Sequence, residues 1–230
     1  MKVGALIPCR AGSKGIVGKN FKLFNGKPLV EWTVNAAQQS GIFSKIIVSS
    51  DGGAGDIVLR EGDVDVLDNE RPEQFSTDEA RLDPLLWYYA EYYKDIEMWC
   101  LLQPTSPLRT VKDIKASFKM ASGKKYDSVV SVTPDPGFLW INNAVGAKGR
   151  VHAISTYHIH KRPNRQERGD WYKENGAIYW MKRYVLEKMQ CRLGGAVGLY
   201  VMPKERSFEI DDPLDWFVAE FAGQMYPRLK

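Results

Sequence analysis

Apolar positions fall into short runs separated by longer stretches with helical spacing. Gly4-Ala5-Leu6-Ile7 reads as a buried strand ended by Pro8, and Lys45 to Ser49 as a second buried strand. Further strands are predicted at Val64 to Leu67, Met98 to Leu102, Asp127 to Val132, Asn175 to Trp180 and Leu199 to Met202. Lys27-Pro28 opens a helix, with proline in its first turn, that runs to Gln39 and ends near Gly41. A short helix is expected over Gly55 to Glu61, with Asp56 in the first turn where a carboxylate complements the dipole. Ser76 or Thr77 caps the next helix, with Asp83 before Pro84 as a second cap. Thr110 to Asp113 resembles a capping box for a helix to about Ala121, and Asp212 caps a helix from Pro213 that carries Trp216 to Met225. Strand, loop, helix and strand within the first stretch make a βαβ unit, hence a parallel sheet. The fold class expected is α/β, a mostly parallel sheet with helices on both faces, in a single domain over residues 1–230. Asp51 directly follows the second strand, at the carboxyl edge where such sheets place ligands.

The alternation breaks over residues 134–170, which are rich in Pro, Gly and Asn and hold all three histidines. A structureless loop of that length is unusual in a compact domain, so the segment reads as a β-rich excursion serving a subunit contact. His158 and His160 would share one face of a strand, where a metal pair is conceivable. Without a carboxylate or cysteine close by in sequence, a hydrogen-bonding or surface role is favoured.

Charge changes the picture at one end of the chain. In Arg10 to Asn20, RAGSKGIVGKN, glycines 12, 15 and 18 stand among Arg10, Lys14 and Lys19, and no carboxylate occurs before Glu31. A flexible basic loop after a strand is a place for phosphates. The spacing matches neither GxxxxGK[ST] nor GxGxxG, so neither common nucleotide loop fits. A second loop, Gln103 to Arg109, is held open by two prolines after a strand and leaves two small hydroxyls and one arginine at the sheet edge. Near the end, Glu209 and Asp211 stand two apart, on one side of an extended segment, where paired hard oxygens suit Mg²⁺. The net charge of +4 over 230 residues suits a small anionic substrate and gives no case for nucleic acid. No apolar run approaches a membrane span, and the strand at the very start leaves no room for a signal peptide. Three scattered cysteines, Cys9, Cys100 and Cys191, suggest free thiols in a reducing compartment, so the expected location is cytoplasmic.

IPCRAGSKGIVGKN at 7–20, RPEQFSTD at 71–78, LLQPTSPLR at 101–109, NGAIY at 175–179 and EIDDPLD at 209–215 resemble the acylneuraminate cytidylyltransferases, also called CMP-sialic acid synthetases, over nearly the whole chain. The resemblance implies a Rossmann-like nucleotidyltransferase fold, usually a homodimer, acting with CTP, Mg²⁺ and an acidic nine-carbon 2-keto sugar. It implies that Arg10, Gly12, Ser13, Lys14, Lys19 and Asn20 hold CTP, chiefly its phosphates, and that Arg71 and Ser76 touch ribose or cytosine. Gln103, Thr105, Ser106, Arg165, Gln166, Asn175 and Tyr179 would line the sugar site. Asp211 would bind Mg²⁺, supported by Glu209, and Arg10, Lys14, Lys19 and Asp211 would be the catalytic set. The chain departs from the family at Cys9, where alanine is usual, at Glu209, where aspartate is common, and at Pro134 to Phe138, which lacks a basic residue expected near the sugar acid. RxNRQE at 162–167 only approximates the family's RRQD. A relative of sialic acid, such as legionaminic or pseudaminic acid, is therefore included among the substrates considered. Enzymes for an eight-carbon sugar acid (Kdo) or for a sugar phosphate share the opening loop, but QPTSPLR with NGAIY argues against them. A nucleotide-binding relative without catalysis is the alternative from another class.

Overall fold

Alternation along each strand decides which helices it meets. The computed structural model describes residues 1–10, 12–13, 15–52, 66–77, 79–143, 152–168 and 171–225. In chain order it contains β1 (Val3–Cys9), β2 (Leu23–Phe24), β3 (Lys27–Pro28), α1 (Leu29–Ser40), β4 (Lys45–Ser50), β5 (Val66–Glu70), α2 (Leu82–Tyr92), β6 (Met98–Leu101) and α3 (Val111–Ala121). There follow β7 (Ser128–Pro134), β8 (Trp140–Asn143), β9 (His152–Ser155), β10 (Tyr172–Lys182), α4 (Arg183–Met189), β11 (Val197–Val201) and α5 (Pro213–Met225). The main sheet runs β11-β7-β10-β6-β1-β4-β5. All of its pairings are parallel except those of β10, which is antiparallel to both β6 and β7.

Ala5, Ile7 and Cys9 face the same way as Ile46 and Val48 and pack with Val30, Val34 and Ala37 of α1 and Ile114 and Ala121 of α3. Leu6, Ile47, Trp99 and Leu101 face the other way, onto Leu85, Leu86 and Tyr89 of α2 and Val185 and Leu186 of α4. Helices thus cover both faces, which is why β1 and β6 are apolar at every position. A third cluster forms at one end. There α5 lays Trp216, Ala219 and Ala222 against Phe24, Leu29, Leu108 and Ile210.

Several expectations need correction. Pro8 does not end β1. It lies within the strand, opposite Ser49 of β4. Its ring nitrogen falls on the side of β6, whose ladder with β1 stops at Leu6–Leu101, so its missing N–H forfeits no sheet bond. Lys27 and Pro28 form β3, and α1 begins one residue later. Neither Ser76, Thr77 nor Asp83 caps α2. Its N-cap is Arg81, Ser76 closes a 3₁₀ turn over Glu73–Phe75, and Asp83 accepts from Arg192 Nε at 2.7 Å. The capping box is present, with Thr110 Oγ1 accepting from Asp113 N at 3.3 Å and Asp113 Oδ2 from Thr110 N at 2.9 Å. Asp212 Oδ1 likewise accepts from Asp215 N at 2.9 Å. The excursion holds the β8–β9 hairpin, yet His158 and His160 are not on a strand. His158 precedes a 3₁₀ turn that contains His160, and both are exposed. The helix expected over 55–61, with Asp56, and residues 64–65 of the expected strand lie outside the described residues. No described helix is long and apolar enough to cross a membrane.

Candidate active site

The carboxyl ends of β1, β5 and β6 open onto a cleft of about 240 Å³. Its lining includes Arg10, Ser13, Lys19, Asn20, Arg71, Gln103 and Thr105, all singled out from sequence, together with Pro8, Ala80, Leu82 and Pro104. The latter four carry no polar group for a pattern to expose, so sequence reasoning missed them.

The basic loop is shaped by its backbone. Gly18 takes φ 63°, in the left-handed region, and starts a 3₁₀ turn over Lys19–Phe21. That turn buries Lys19 and Asn20. Asn20 Nδ2 donates to the Arg10 carbonyl at 2.8 Å and closes the loop. Arg10 Nη1 donates to the Thr77 carbonyl at 2.9 Å, tying the loop to the segment after Arg71. Arg71 is anchored through its own N–H to the Ser50 carbonyl at 2.7 Å. The residue is 7% exposed, and its Nε finds no hydrogen-bond partner among the described residues. Burial pulls the Arg71 pKa down; Asp51 opposes that shift and Arg10 adds to it. A buried guanidinium facing a cleft beside a second one is a receptor for an anion.

The acidic segment meets this loop directly. Lys19 Nζ donates to the Ile210 carbonyl and lies 3.3 Å from Asp211 Oδ1. A Cβ added at Gly15 would stand 2.1 Å from the Asp211 carbonyl oxygen, so no other residue allows this approach. Glu209 Oε1 accepts from Gln103 Nε2 at 3.2 Å. Burial raises the Glu209 pKa, and the neighbouring Asp211 carboxylate raises it further. Two carboxylates that repel each other at the rim of a cationic cleft form a donor set a divalent cation would neutralise. Among the described residues no group of three or more His, Cys, Asp or Glu could hold a metal, so an ion here would complete its shell with water and phosphate oxygens.

Other residues expected at the sugar site are placed differently. Ser106 is fully buried and its Oγ donates to the Asn175 carbonyl at 3.0 Å. Asn175 is buried, accepting from Ser131 Oγ at 2.6 Å and donating to Ser207 Oγ at 3.0 Å. Tyr179 is buried, its hydroxyl donating to Glu174 Oε2 at 2.9 Å, and burial pushes its pKa well up. Arg109, expected at the sheet edge, is buried beneath the loop. Ser76 Oγ donates to the Pro72 carbonyl at 3.4 Å, and a Cβ at Gly12 would meet nothing within 4 Å. Gln166 sits exposed in the 3₁₀ turn Arg165–Arg168 of the excursion. Lys14 and the Arg165 side chain lie outside the described residues.

A family model described as cytidylyltransferase matches residues 4–221. N-acylneuraminate cytidylyltransferase A of Danio rerio is 30% identical over 219 residues, covering 95% of this chain and 50% of that protein. N-acylneuraminate cytidylyltransferase of Escherichia coli O18:K1:H7 is 32% identical over 231 residues, covering 100% of this chain and 54% of that one. The chain therefore spans about half the length of the curated relatives it matches. Among solved structures, a CMP:2-keto-3-deoxy-manno-octonic acid synthetase complexed with CTP superposes with a TM-score of 0.68 at 16% identity, covering 99% of this chain and 100% of that one. A 4-diphosphocytidyl-2C-methyl-D-erythritol synthase from Anaerococcus prevotii superposes with a TM-score of 0.64 at 14% identity, covering 97% and 98%. At those identities the two structures speak for the fold.

Proposed function

This chain belongs to the cytidylyltransferase family, and we propose that it transfers CMP from CTP to the anomeric 2-hydroxyl of a nine-carbon 2-keto sugar acid, releasing pyrophosphate. The observation that carries this reading is that Lys19, which lines one cleft with Arg10 and Arg71, also holds the acidic segment through the Ile210 carbonyl and Asp211. In the reaction the sugar oxygen forms a bond to the α-phosphorus while the bond to the β-phosphate oxygen breaks and the hydroxyl proton is released. Negative charge shifts onto the leaving pyrophosphate, so the protein's task is to supply fixed positive charge and to align the two substrates. Lys19, held by the Ile210 carbonyl, and the desolvated Arg71 guanidinium are preorganised for that task. Lys14 belongs to the same proposed set by its place in the loop. Asp211 and Glu209 would hold Mg²⁺, which when bound neutralises phosphate charge and acidifies a coordinated hydroxyl. Gln103 and Thr105, beside the acidic segment through the Gln103–Glu209 and Ile210–Thr105 hydrogen bonds, would face the acceptor.

The acceptor is proposed to be an N-acylneuraminate or a related nonulosonate, in line with the relatives' names. The working unit is proposed to be a cytoplasmic homodimer. Cys9, Cys100 and Cys191, buried or half-buried and in no disulfide among the described residues, suit a reducing compartment. Exposed Leu139, Trp140, Ile141 and Ile154 on the excursion suit a covered face. The test is pyrophosphate release with each of the four nucleoside triphosphates against a panel of eight- and nine-carbon sugar acids and sugar phosphates. Turnover only with CTP and a nine-carbon acid is the expected result. CTP binding by calorimetry without consumption of any acceptor would sink the catalytic reading.

A further inference from the structure

The strand β10 loses its pairing register with β7 between Glu174 and Tyr179. Asn175, Gly176 and Ala177 therefore carry carbonyls that the neighbouring strand does not satisfy, and buried carbonyls need donors. All three donors come from the loop after β6. Ser106 Oγ donates to the Asn175 carbonyl at 3.0 Å, Gln103 Nε2 to that of Gly176 at 3.0 Å, and Arg109 Nε to that of Ala177 at 2.9 Å.

Arg109 does more than its neighbours. Its Nη2 donates to the Gln103 carbonyl at 2.7 Å and its Nη1 to Thr33 Oγ1 on α1 at 3.2 Å. Arg109 is 3% exposed and, among the described residues, forms no ion pair, Asp113 acting on it only through space. A buried charge without a paired carboxylate is costly, and an apolar side chain would fill the space more cheaply. What arginine adds is a rigid fork that serves three elements at once.

We propose that Arg109 is a positioning residue for the acceptor half of the cleft, fixing the Gln103 amide and the 175–177 segment as one wall. This rests on the functional reading above, in which the acceptor binds beside Gln103. The nucleotide contacts proposed at Arg10, Lys19, Asn20 and Arg71 sit on other loops. Loss of the fork should therefore separate the two substrates kinetically.

The experiment is steady-state kinetics of Arg109→Met and Arg109→Lys with CTP and whichever sugar acid the wild type consumes. Arg109→Met should raise the acceptor KM about tenfold or more while the CTP KM stays within about twofold. Arg109→Lys keeps the charge without the fork and should show the same split at smaller amplitude. A role in folding alone would lower the active fraction and leave both KM values where they were. Unchanged KM values, or equal rises in both, overturn the proposal. If Arg109→Met yields no folded protein, Thr33→Val removes one acceptor and leaves the guanidinium; a rise in acceptor KM alone is expected, and an unchanged one overturns the proposal. A wild type that consumes no acceptor defeats the functional reading and this inference together. An active wild type with kinetically silent variants defeats only the inference.

Discussion

Gly176 carries two constraints. Its φ is 68°, and a Cβ there would stand 2.5 Å from Glu209 Oε1 and 2.9 Å from Gln103 Nε2. Gly176→Ala should destabilise the fold by about 1–3 kcal/mol from backbone strain and should displace Glu209. Thermal unfolding of the variant beside wild type, together with its turnover, checks both. Glu209 itself gives a pH-dependent expectation. Its folded-state pKa is raised, so the folded protein holds a proton that the unfolded chain releases above the ordinary carboxylate range near 4.5. The stabilising contribution is complete below that range and is lost as pH rises through the raised value. Without added divalent cation, Glu209→Gln should raise Tm at pH 8, and the gain should shrink toward pH 4.5. A constant gain across that interval would remove burial of the charge as its cause. With CTP, adding Mg²⁺ should raise the wild-type Tm further than CTP with a chelator does, and by less in Glu209→Gln.

At the level of elements, α5 holds the acidic segment in place. Trp216 stacks edge-on against Phe24 with centroids 5.6 Å apart, and Ile210 is fully buried in the same cluster. Trp216→Ala should cost about 3–5 kcal/mol, and it should weaken CTP binding because Ile210 offers its carbonyl to Lys19. A Tm loss with unchanged CTP affinity by calorimetry would uncouple the two. Much of this was legible in the residues. The apolar runs located every strand of the main sheet, and the basic loop and the acidic segment were picked out before the structure brought them together. What stayed hidden depends on contacts distant in sequence. Nothing local tells that Pro8 can sit mid-strand, since that follows from β6 ending early. Nothing local tells that Ser106 and Arg109 turn inward, because the carbonyls they satisfy are created by an irregularity in β10. Spacing alone puts His158 and His160 on a strand, and 3₁₀ geometry leaves no such period.

The whole molecule leaves one part uncovered. A two-stranded ribbon is marginal by itself, and β8–β9 joins no other strand among the described residues. Its base is braced by Arg168, whose guanidinium lies 4.1 Å from the Trp171 ring centroid and 5.0 Å from that of Phe138, and by Arg162 at 4.2 Å from Phe138. Beyond that brace, Trp140 and Ile141 are adjacent in sequence, so they point to opposite faces of the ribbon, and both are exposed. Ile154 pairs directly with Ile141 and is also exposed. A ribbon apolar on both faces is stable when another surface closes over it, and the proposed homodimer supplies that surface. Ile141→Asp with Ile154→Asp places two like charges directly opposite each other in the interface, where neither finds a counter-charge. Sedimentation equilibrium should show a dimer for wild type at micromolar concentration and a monomer for the double variant. Far-UV circular dichroism should stay unchanged, because the main sheet takes nothing from the ribbon. A wild type that sediments as a monomer would leave the ribbon without its proposed cover and would require a different partner for it.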